Sequence, residues 1–362
     1  MRSRHAVLAP HARPAVLRVL PAVLLTLAVA PDARAQSCIG DLNGDGVIDG
    51  SDLGALLAAW GPCESCGADL NTNGVVDGID LGIQLGNWGE CFTVPAWATL
   101  VERFPDPAVV TDPAMRAAII ATGRPWRVRD TATQVEMLLV PPGTFQMGCI
   151  TGSNQYGCFG QELPVHHVTL TNAFYLGRYE VTQSQWVARM GSNPSYHQGV
   201  SDSATRPVEQ VSWNTIQGYL SATGFRLPTE AEWEYACRAG TQTPFSNGST
   251  NDSTLGALAW YGSCCGGNSG GESHAVGGKQ ANALGFHDML GNVWEWVSDR
   301  FGSYTADAQT NPTGPASGSD RVMRGGSYFY NSNLTRSSYR NLTGVSPDYT
   351  INSLGFRVAR NP

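Results

Sequence analysis

Several features that mark common protein classes are missing from this sequence of 362 residues. No apolar run reaches the roughly twenty residues that a bilayer-spanning helix needs. No GxSxG or P-loop pattern supplies a serine nucleophile or a phosphate cradle. Lysine is nearly absent, with Lys279 as its single example, and cysteine is missing after Cys265. The 42 glycines and 10 tryptophans are typical of loop-rich folds with aromatic packing, not of coiled coils or disordered chains.

Basic residues are also absent from one long segment. Residues 38–91 hold nine Asp and Glu and no Lys or Arg, whereas the whole chain has a formal charge of -7. A surface this acidic repels nucleic acid, so a nucleic-acid partner is excluded. The same surface favours a divalent cation.

The start of the chain is typical of an export signal. Basic residues precede an apolar run from Val19 to Ala30, and a small-residue cleavage site lies at residues 33–35. We therefore expect residues 1–35 to be a signal peptide and the mature protein to be secreted, periplasmic or bound at the cell surface, without a membrane span. The alternative is an uncleaved membrane anchor. Export also makes the nine cysteines candidates for disulfides.

The clearest internal pattern is a tandem repeat. DLNGDGVIDGSDLGALLAAWG begins at Asp41, and DLNTNGVVDGIDLGIQLGNWG begins at Asp69. In each copy oxygen-bearing side chains occupy loop positions 1, 3, 5, 9 and 12, position 6 is glycine, and position 7 offers its carbonyl. Hard oxygen ligands in this number suit calcium better than zinc or copper. The predicted calcium ligands are Asp41, Asn43, Asp45, Val47, Asp49 and Asp52 in the first copy, and Asp69, Asn71, Asn73, Val75, Asp77 and Asp80 in the second.

After each loop the apolar residues recur with helical spacing, as at Leu53, Leu56, Leu57 and Trp60. One loop and one helix bury too little to fold alone, so we expect the two units to pair and to fold only with metal bound. Because position 12 is Asp where an ordinary EF-hand has Glu, residues 36–91 resemble the dockerin type I module, a small α-helical duplicated F-hand. The resemblance implies a cohesin-like partner. The alternative is a calcium-stapled spacer with no partner.

The cysteines of this segment surround the two copies with matching offsets. The simplest pairing joins Cys38 to Cys63. By the same offset it joins Cys66 to Cys91, although spacing leaves the crossed pairings open. Further along the chain we expect a loop bridge between Cys149 and Cys158, disulfides at Cys264 and Cys265, and a buried free thiol at Cys237.

A connector with five prolines follows the repeat, and we predict residues 92–130 to be a linker with a short helix near residues 114–121. From residue 131 the pattern indicates short strands and loops with a few well-capped helices. The predicted helix signals are capping boxes at Thr182 with Gln185 and at Thr229 with Glu232, and a cap at Ser212 for a helix that ends at Gly224.

Seven motifs follow in order within residues 131–362: GTFQMG, YEVTQSQW, PVEQVSW, FRLPTEAEWEYACRAG, GNVWEW, RVMRGGSY and LGFRVAR. This series resembles the formylglycine-generating enzyme family, whose domain is also called the sulfatase-modifying factor. The resemblance implies an α+β, C-type-lectin-like formylglycine-generating-enzyme fold with little regular secondary structure and bound calcium. It places calcium ligands on Asp288, Gly291, Val293 and Glu295. The alternative for Glu295 is a simple pairing with an arginine.

The aerobic members of the family hold copper(I) with two cysteine thiolates just after a GGS sequence, because soft ligands stabilise that ion. Here the first thiol position is Tyr330, and the second is Thr335 or Leu334, so the pair is missing. The mature histidines show no HxH or HxxxH spacing for non-haem iron. We therefore assign no catalytic residue and leave enzyme activity open.

The segment RGGSYFYNSNLTRSSYRN, residues 324–341, has the composition of adaptable contact surfaces, and in the family it lines the substrate cleft. We expect an exported, non-oxidase domain that binds a peptide, protein or glycan there and is tethered by the dockerin-like module. The alternative is a metal-dependent oxidoreductase of the formylglycine-generating and sulfoxide-synthase superfamily with altered metal use. The predicted ligand-binding residues are Ser327, Tyr328, Tyr330, Asn331, Asn333, Arg336 and Tyr339.

Overall fold

The computed structural model describes residues 39–44, 47–63, 66–152, 155–264, 266–341 and 344–362. The predicted signal peptide, Cys38, the calcium ligand Asp45 and Cys265 lie outside these residues. Within the described part of the chain, no helix is both long and apolar enough to cross a membrane.

The two copies of the N-terminal repeat have the same secondary structure and pair with each other. The first strand of each copy forms an antiparallel ladder with the last strand of the other copy, which relates the copies by an approximate twofold axis. The repeat therefore builds one unit from two halves, as the sequence predicts. Its elements are β1 (Val47–Ile48), α1 (Gly50–Ala58) and β2 (Gly61–Pro62), then β3 (Val75–Val76), α2 (Gly78–Gly86) and β4 (Gly89–Glu90).

Only part of the apolar helix face predicted for this unit is buried. Leu56 packs with Ala68 and Val76 in a small core. Leu57 and Trp60 are exposed, and their counterparts in the second copy, Leu85 and Trp88, are exposed as well. The unit thus shows two related apolar patches to its surroundings.

The disulfides of this unit differ from the simplest pairing. Cys63 is bonded to Cys66, so the expected bridges from Cys38 to Cys63 and from Cys66 to Cys91 are both wrong. The reason is local: the ladder of β2 with β3 ends at Cys63, whose N–H donates to the Gly74 carbonyl, and the chain turns there into the second copy. The Cα atoms of Cys63 and Cys66 lie 5.8 Å apart. Cys91 is disulfide-bonded too.

Residues 92–130, predicted to be a linker, are instead an integral part of the large domain. The segment contains β5 (Ala98–Glu102), α3 (Pro113–Ile120) and β6 (Arg127–Asp130), and the short helix near residues 114–121 is confirmed as α3. β5 pairs with β6, which pairs with the next strand of the same sheet. Val110, Ile119 and Trp126 are buried in the main core.

Short strands form three sheets in the large domain, in agreement with the mixed α and β character expected. The largest sheet has the order β15-β10-β7-β6-β5, and two three-stranded sheets have the orders β12-β9-β8 and β13-β11-β14. Three sequence motifs meet in the last of these sheets, since GNVWEW leads into β11, RVMR forms β13 and LGF supplies β14. The strands are β7 (Glu136–Val140), β8 (Gly143–Met147), β9 (His166–Leu170), β10 (Phe174–Gly177), β11 (Trp294–Arg300), β12 (Gln309–Thr310), β13 (Arg321–Arg324), β14 (Leu354–Gly355) and β15 (Ala359–Arg360).

The helix signals of the sequence are confirmed in this domain. Both capping boxes form, with Thr182 accepting from the Gln185 N–H and Thr229 from the Glu232 N–H. Gly224 ends its helix in the left-handed region, at φ 73°. Each such cap stabilises its helix by about 1 kcal/mol. The helices are α4 (Gln183–Met190), α5 (Trp213–Thr223), α6 (Glu230–Arg238) and α7 (Leu255–Leu258).

Candidate functional site

The segment that the sequence singles out for ligand binding begins with a tight turn after β13. Gly325 and Gly326 both have positive φ, 92° and 72°. A Cβ on Gly326 would lie 2.5 Å from the Cγ2 atom of Thr335, so the chain folds back on itself too closely for a side chain there. The turn thereby divides the segment into an outer part around Tyr330 and an inner part around Arg336.

Four of the seven predicted ligand-binding residues are buried, so the prediction is wrong for them as surface contacts. They already have partners inside the protein. Arg336 donates from both terminal nitrogens to the Glu162 carboxylate, at 2.9 and 3.0 Å. Tyr339 packs against Phe159 and Trp294. The four residues are Ser327, Tyr328, Arg336 and Tyr339.

Tyr330, Asn331 and Asn333 remain at the surface, together with Phe329, which the sequence analysis missed. A neighbouring loop holds this outer part through backbone hydrogen bonds. The N–H of Gly262 donates to the Tyr330 carbonyl at 2.6 Å, and that of Cys264 donates to the Phe329 carbonyl at 3.2 Å. The exposed side chains are therefore displayed on a fixed backbone.

Other exposed aromatic side chains adjoin this loop. Tyr196 is 65% exposed, Phe329 47% and Tyr349 41%. Phe329 and Tyr330 contact each other with ring centroids 5.3 Å apart. Burial raises the pKa of Tyr330, and the nearby Tyr349 adds to the rise. We call Tyr196, Phe329, Tyr330 and Tyr349 the aromatic surface.

A pair of polar side chains lies directly beneath the aromatic surface. His197 Nε2 is 3.0 Å from the hydroxyl oxygen of Tyr328. Burial lowers the pKa of His197 and, with a smaller effect of Glu209, raises that of Tyr328 to about 12. Glu209 accepts from the His197 backbone N–H, and burial raises its pKa to about 7. Near neutral pH the His197 and Tyr328 side chains are uncharged and stabilise the loop that carries Tyr196.

The positions that carry copper-binding thiols in the resembling family have no metal-binding character here. Tyr330 packs its ring against Trp294 at 5.8 Å, and Thr335 is buried with its hydroxyl donating to the Ser332 carbonyl. Cys237 is a buried free thiol, as predicted, and burial raises its pKa to about 12. It is therefore a protonated, inert thiol at neutral pH.

The remaining cysteines of the large domain are in disulfides within the described residues. Cys149 is bonded to Cys158, which confirms the predicted loop bridge, and Cys264 is disulfide-bonded as well. A thiolate pair for copper(I) is thus not available in the described part of the chain.

The predicted calcium site of the large domain is only partly as expected. Asp288 has a positive φ of 56°, is buried, and accepts from the Gly277 N–H with Oδ2 at 2.6 Å. Its Oδ1 is buried without a hydrogen-bond partner. Gly291 and Val293 follow in the turn that leads into β11.

Glu295 has the alternative partner that the sequence left open. Arg357 binds its two oxygens at 2.6 and 2.7 Å, and the Trp233 indole N–H donates at 2.7 Å. Glu295 as a calcium ligand is therefore not supported, because the buried guanidinium of Arg357 already neutralises its carboxylate.

Glu180, which the sequence analysis missed, is the second buried carboxyl beside Asp288 and takes the place predicted for Glu295. Burial, and the charges of Asp288 and Glu295, raise the pKa of Glu180 well above its usual range, and burial raises that of Asp288 to about 6. Two buried carboxyls and an orphaned oxygen fit a hard cation, since a cation would compensate their mutual repulsion. Glu180 and Asp288 are thus the side chains that would hold it.

The loops of the N-terminal unit are arranged around their carboxylates. Asp52 accepts from the backbone N–H groups of Leu42 and Asn43 with one oxygen and from that of Asp49 with the other. Asp80 repeats this pattern in the second copy.

The carboxylates at positions 9 and 12 thus close each loop onto its helix. Asp49 and Asp77 are the helix N-caps. Oδ2 of Asp52 and Oδ2 of Asp80 each accept a single backbone N–H and keep a second lone pair for a cation. Among the described residues, which omit Asp45, no three His, Cys, Asp or Glu side chains cluster closely enough to form a metal site by themselves.

Comparisons with known proteins identify the family of the large domain. Residues 126–362 match the family described as the sulfatase-modifying factor enzyme 1-like domain. The formylglycine-generating enzyme of Streptomyces coelicolor is 31% identical over 71% of this chain and 95% of its own length. The Bos taurus enzyme is 30% identical over 62% and 74%, and the Mus musculus enzyme is 36% identical over 48% and 50%. The match thus spans only half of the mouse enzyme.

Two solved structures share the fold. Treponema denticola variable protein 1 superposes with a TM-score of 0.56 at 31% identity, covering 63% of this chain and 95% of its own. PvdO from Pseudomonas aeruginosa gives a TM-score of 0.55 at 27% identity, covering 65% and 98%. The chain therefore belongs to the sulfatase-modifying factor enzyme 1-like family of formylglycine-generating enzymes and their relatives.

Proposed function

We propose that this protein is an exported, non-oxidase member of the family that binds a peptide, protein or glycan through the aromatic surface. One observation carries the proposal. Tyr330 stands at the first thiol position and packs on Trp294, while the second position falls on Thr335, which is buried, or on Leu334. The place where the family's copper chemistry occurs is filled by a tyrosine next to exposed aromatic residues.

The side chains that remain exposed suit recognition. Aromatic rings give large contact areas at low conformational cost, and asparagine amides form adaptable hydrogen bonds. Asn331 and Asn333 follow Phe329 and Tyr330 directly in the outer part of the segment. The C-type-lectin-like architecture that we assign to the large domain presents such loops on a rigid core.

In this proposal the N-terminal unit is a dockerin-like, duplicated F-hand that binds calcium and tethers the protein to a cohesin-like partner. Its twofold arrangement and its two exposed patches, with Trp60 and Trp88, support this role. In the large domain, Glu180 and Asp288 bind a calcium ion that compensates two buried carboxylates. Calcium has a structural role in both places.

The test compares oxidation and binding on the same purified full chain. Copper and iron contents are measured together with oxygen consumption on a sulfatase-type cysteine peptide, and the expected result is less than a tenth of an equivalent of either metal and no turnover. Turnover with stoichiometric metal would reject the proposal in favour of a metal-dependent oxidoreductase.

Binding is then measured on peptide and glycan arrays. The variant Phe329→Ser is expected to lose at least tenfold in affinity for whatever the parent chain binds. Leu100→Ser is the matched control, because Leu100 is equally exposed on β5, in another part of the sequence. Equal losses in the two variants would exclude the aromatic surface as the ligand site.

A further inference from the structure

A cavity separate from the aromatic surface lies between β11, the start of α6 and the loop of residues 301–315. Its volume is about 290 Å³, and Glu230, Asp299 and Tyr304 line it together with His166. The backbone of Gly314 lies so close to Asp299 that a Cβ on Gly314 would be 2.9 Å from the Asp299 Cβ. None of the roles described above uses these side chains.

Two buried side chains direct unused hydrogen-bond acceptors into this cavity. Asp299 is 3% exposed, and its Oδ2 accepts from the Glu230 backbone N–H and the Ser298 hydroxyl, both at 2.9 Å. Its Oδ1 accepts no hydrogen bond from the described residues. His166 is also 3% exposed, and its Nδ1 lies 3.1 Å from the Pro164 carbonyl. Because a carbonyl only accepts, Nδ1 carries a proton, and in that tautomer Nε2 is an acceptor.

Tyr304 adds a third acceptor. Its hydroxyl donates to Glu230 Oε1 at 3.1 Å, which leaves the oxygen lone pairs for a guest. Its ring contacts the His166 ring with centroids 4.8 Å apart. The charge of Glu230 is balanced by Arg340, whose Nη2 lies 2.9 Å from Oε2. Asp299 has no such ion-pair partner among the described residues.

The geometry points to a binding site for a primary ammonium group in this cavity, held by Asp299, His166 and Tyr304. An ammonium group has three N–H donors and no acceptor, and the cavity offers three free acceptors and no free donor from these side chains. The volume accommodates a short alkylamine, such as a lysine-like side chain. A hydroxyl group would satisfy one acceptor and leave the others unpaired, which costs affinity.

Charge balance supports the same guest. Burial, then the neighbouring charge of Glu230, raises the pKa of Asp299 to about 7, and Glu232 adds to the rise. Arg321 on β13 interacts electrostatically with Asp299, and Arg300, Arg340 and His166 also line the cavity. An ammonium ion that replaces the proton of Asp299 leaves the net charge of the cavity unchanged. Binding at neutral pH therefore releases a proton.

The experiment titrates n-butylammonium chloride into the full chain by calorimetry, with butan-1-ol as the neutral probe. Butan-1-ol is expected to bind at least tenfold more weakly. Asp299→Asn, which keeps an acceptor for the Glu230 N–H, is expected to weaken butylammonium binding at least tenfold. Asp307→Asn is the matched control in the same loop, because Asp307 is exposed and does not line the cavity.

Proton release, measured in two buffers of different ionisation enthalpy, is expected near pH 6.5 and to vanish above pH 8.5. If Asp299→Asn does not fold, Ser303→Phe at the exposed rim blocks the entrance without touching the core and is expected to give the same loss. Unchanged butylammonium affinity in the folded variants, or equal affinity for butan-1-ol, overturns the inference.

Discussion

Replacing Arg336 tests whether this arginine stabilises the fold or contacts a ligand. Arg336 and Glu162 are both fully buried, and two hydrogen bonds join them. Ser338 and the Phe159 N–H donate to the same carboxylate. Arg336→Met leaves a buried carboxylate without its cation, which costs about 3 to 5 kcal/mol. A domain of this size has a total stability of about 5 to 15 kcal/mol, so the loss is large.

The loss is measured by urea unfolding followed by tryptophan fluorescence, or as a decrease in Tm of about 6 to 20 °C. Asn331→Ala is the matched control in the same segment, since Asn331 is exposed and caps its turn without a side-chain hydrogen bond. It should change stability by no more than about 0.5 kcal/mol.

A double variant separates charge from packing. When Glu162→Gln is combined with Arg336→Met, neither position carries a charge, and we expect the double variant to recover at least about 2 kcal/mol of the single-variant loss. Should Arg336→Met cost less than about 1 kcal/mol, the buried ion pair would not have the structural role assigned to it.

Three further predictions concern pH and metals. Burial raises the pKa of Glu209 from 4.5 to about 7, so the protonated carboxyl stabilises the folded protein fully below about pH 4.5, and this stabilisation is lost as the pH rises through 7. Glu209→Gln should flatten this decline in stability. A parallel decline in both proteins would contradict the prediction. The double variant Tyr330→Cys with Thr335→Cys should gain about one equivalent of copper(I) by metal analysis, whereas pairing Tyr330→Cys with Leu334→Cys, the other possible register, should not. Removing calcium with a chelator should destabilise the N-terminal unit by about 3 kcal/mol, compared with the protein at a calcium concentration a hundred times the Kd. The change is measured by the fluorescence of Trp60 and by protease cleavage. Identical cleavage with and without calcium would show that this unit folds without the ion.

The parts of the structure that the sequence predicts well depend on neighbouring residues. The capping box joins Thr229 to Glu232, three positions apart, and both of its hydrogen bonds form. The tandem repeat also predicts the twofold pairing of its two copies, because each copy alone has too few apolar residues for a core. Short-range signals of this kind remain valid in the folded protein since their partners cannot move far apart.

The parts that the sequence does not predict depend on distant partners. Arg336 was predicted to contact a ligand because its segment has the composition of a contact surface. Its actual partner is Glu162, which lies 174 positions earlier in the chain. The assignment of residues 92–130 as a linker fails for the same reason, because Trp97 and Pro125 both contact Tyr175 of β10, which comes much later in the chain. Cys63 shows the opposite case, where a matching offset suggested a longer bridge and a local turn brought it to Cys66.

The aromatic surface is another feature that depends on residues far apart in the sequence. Tyr196, Phe329 and Tyr349 come from three separate segments, and no spacing in the sequence connects them. His197 and Tyr328 join two of these segments through one hydrogen bond beneath the surface. A family domain that loses its metal-binding thiols therefore still keeps a rigid support for exposed side chains, because the buried Arg and Glu pairs that fix the loops are independent of the thiol positions. In such a domain the exposed outer residues can be substituted to bind a different ligand, whereas substitution of the buried inner residues of the same segment would destabilise the fold.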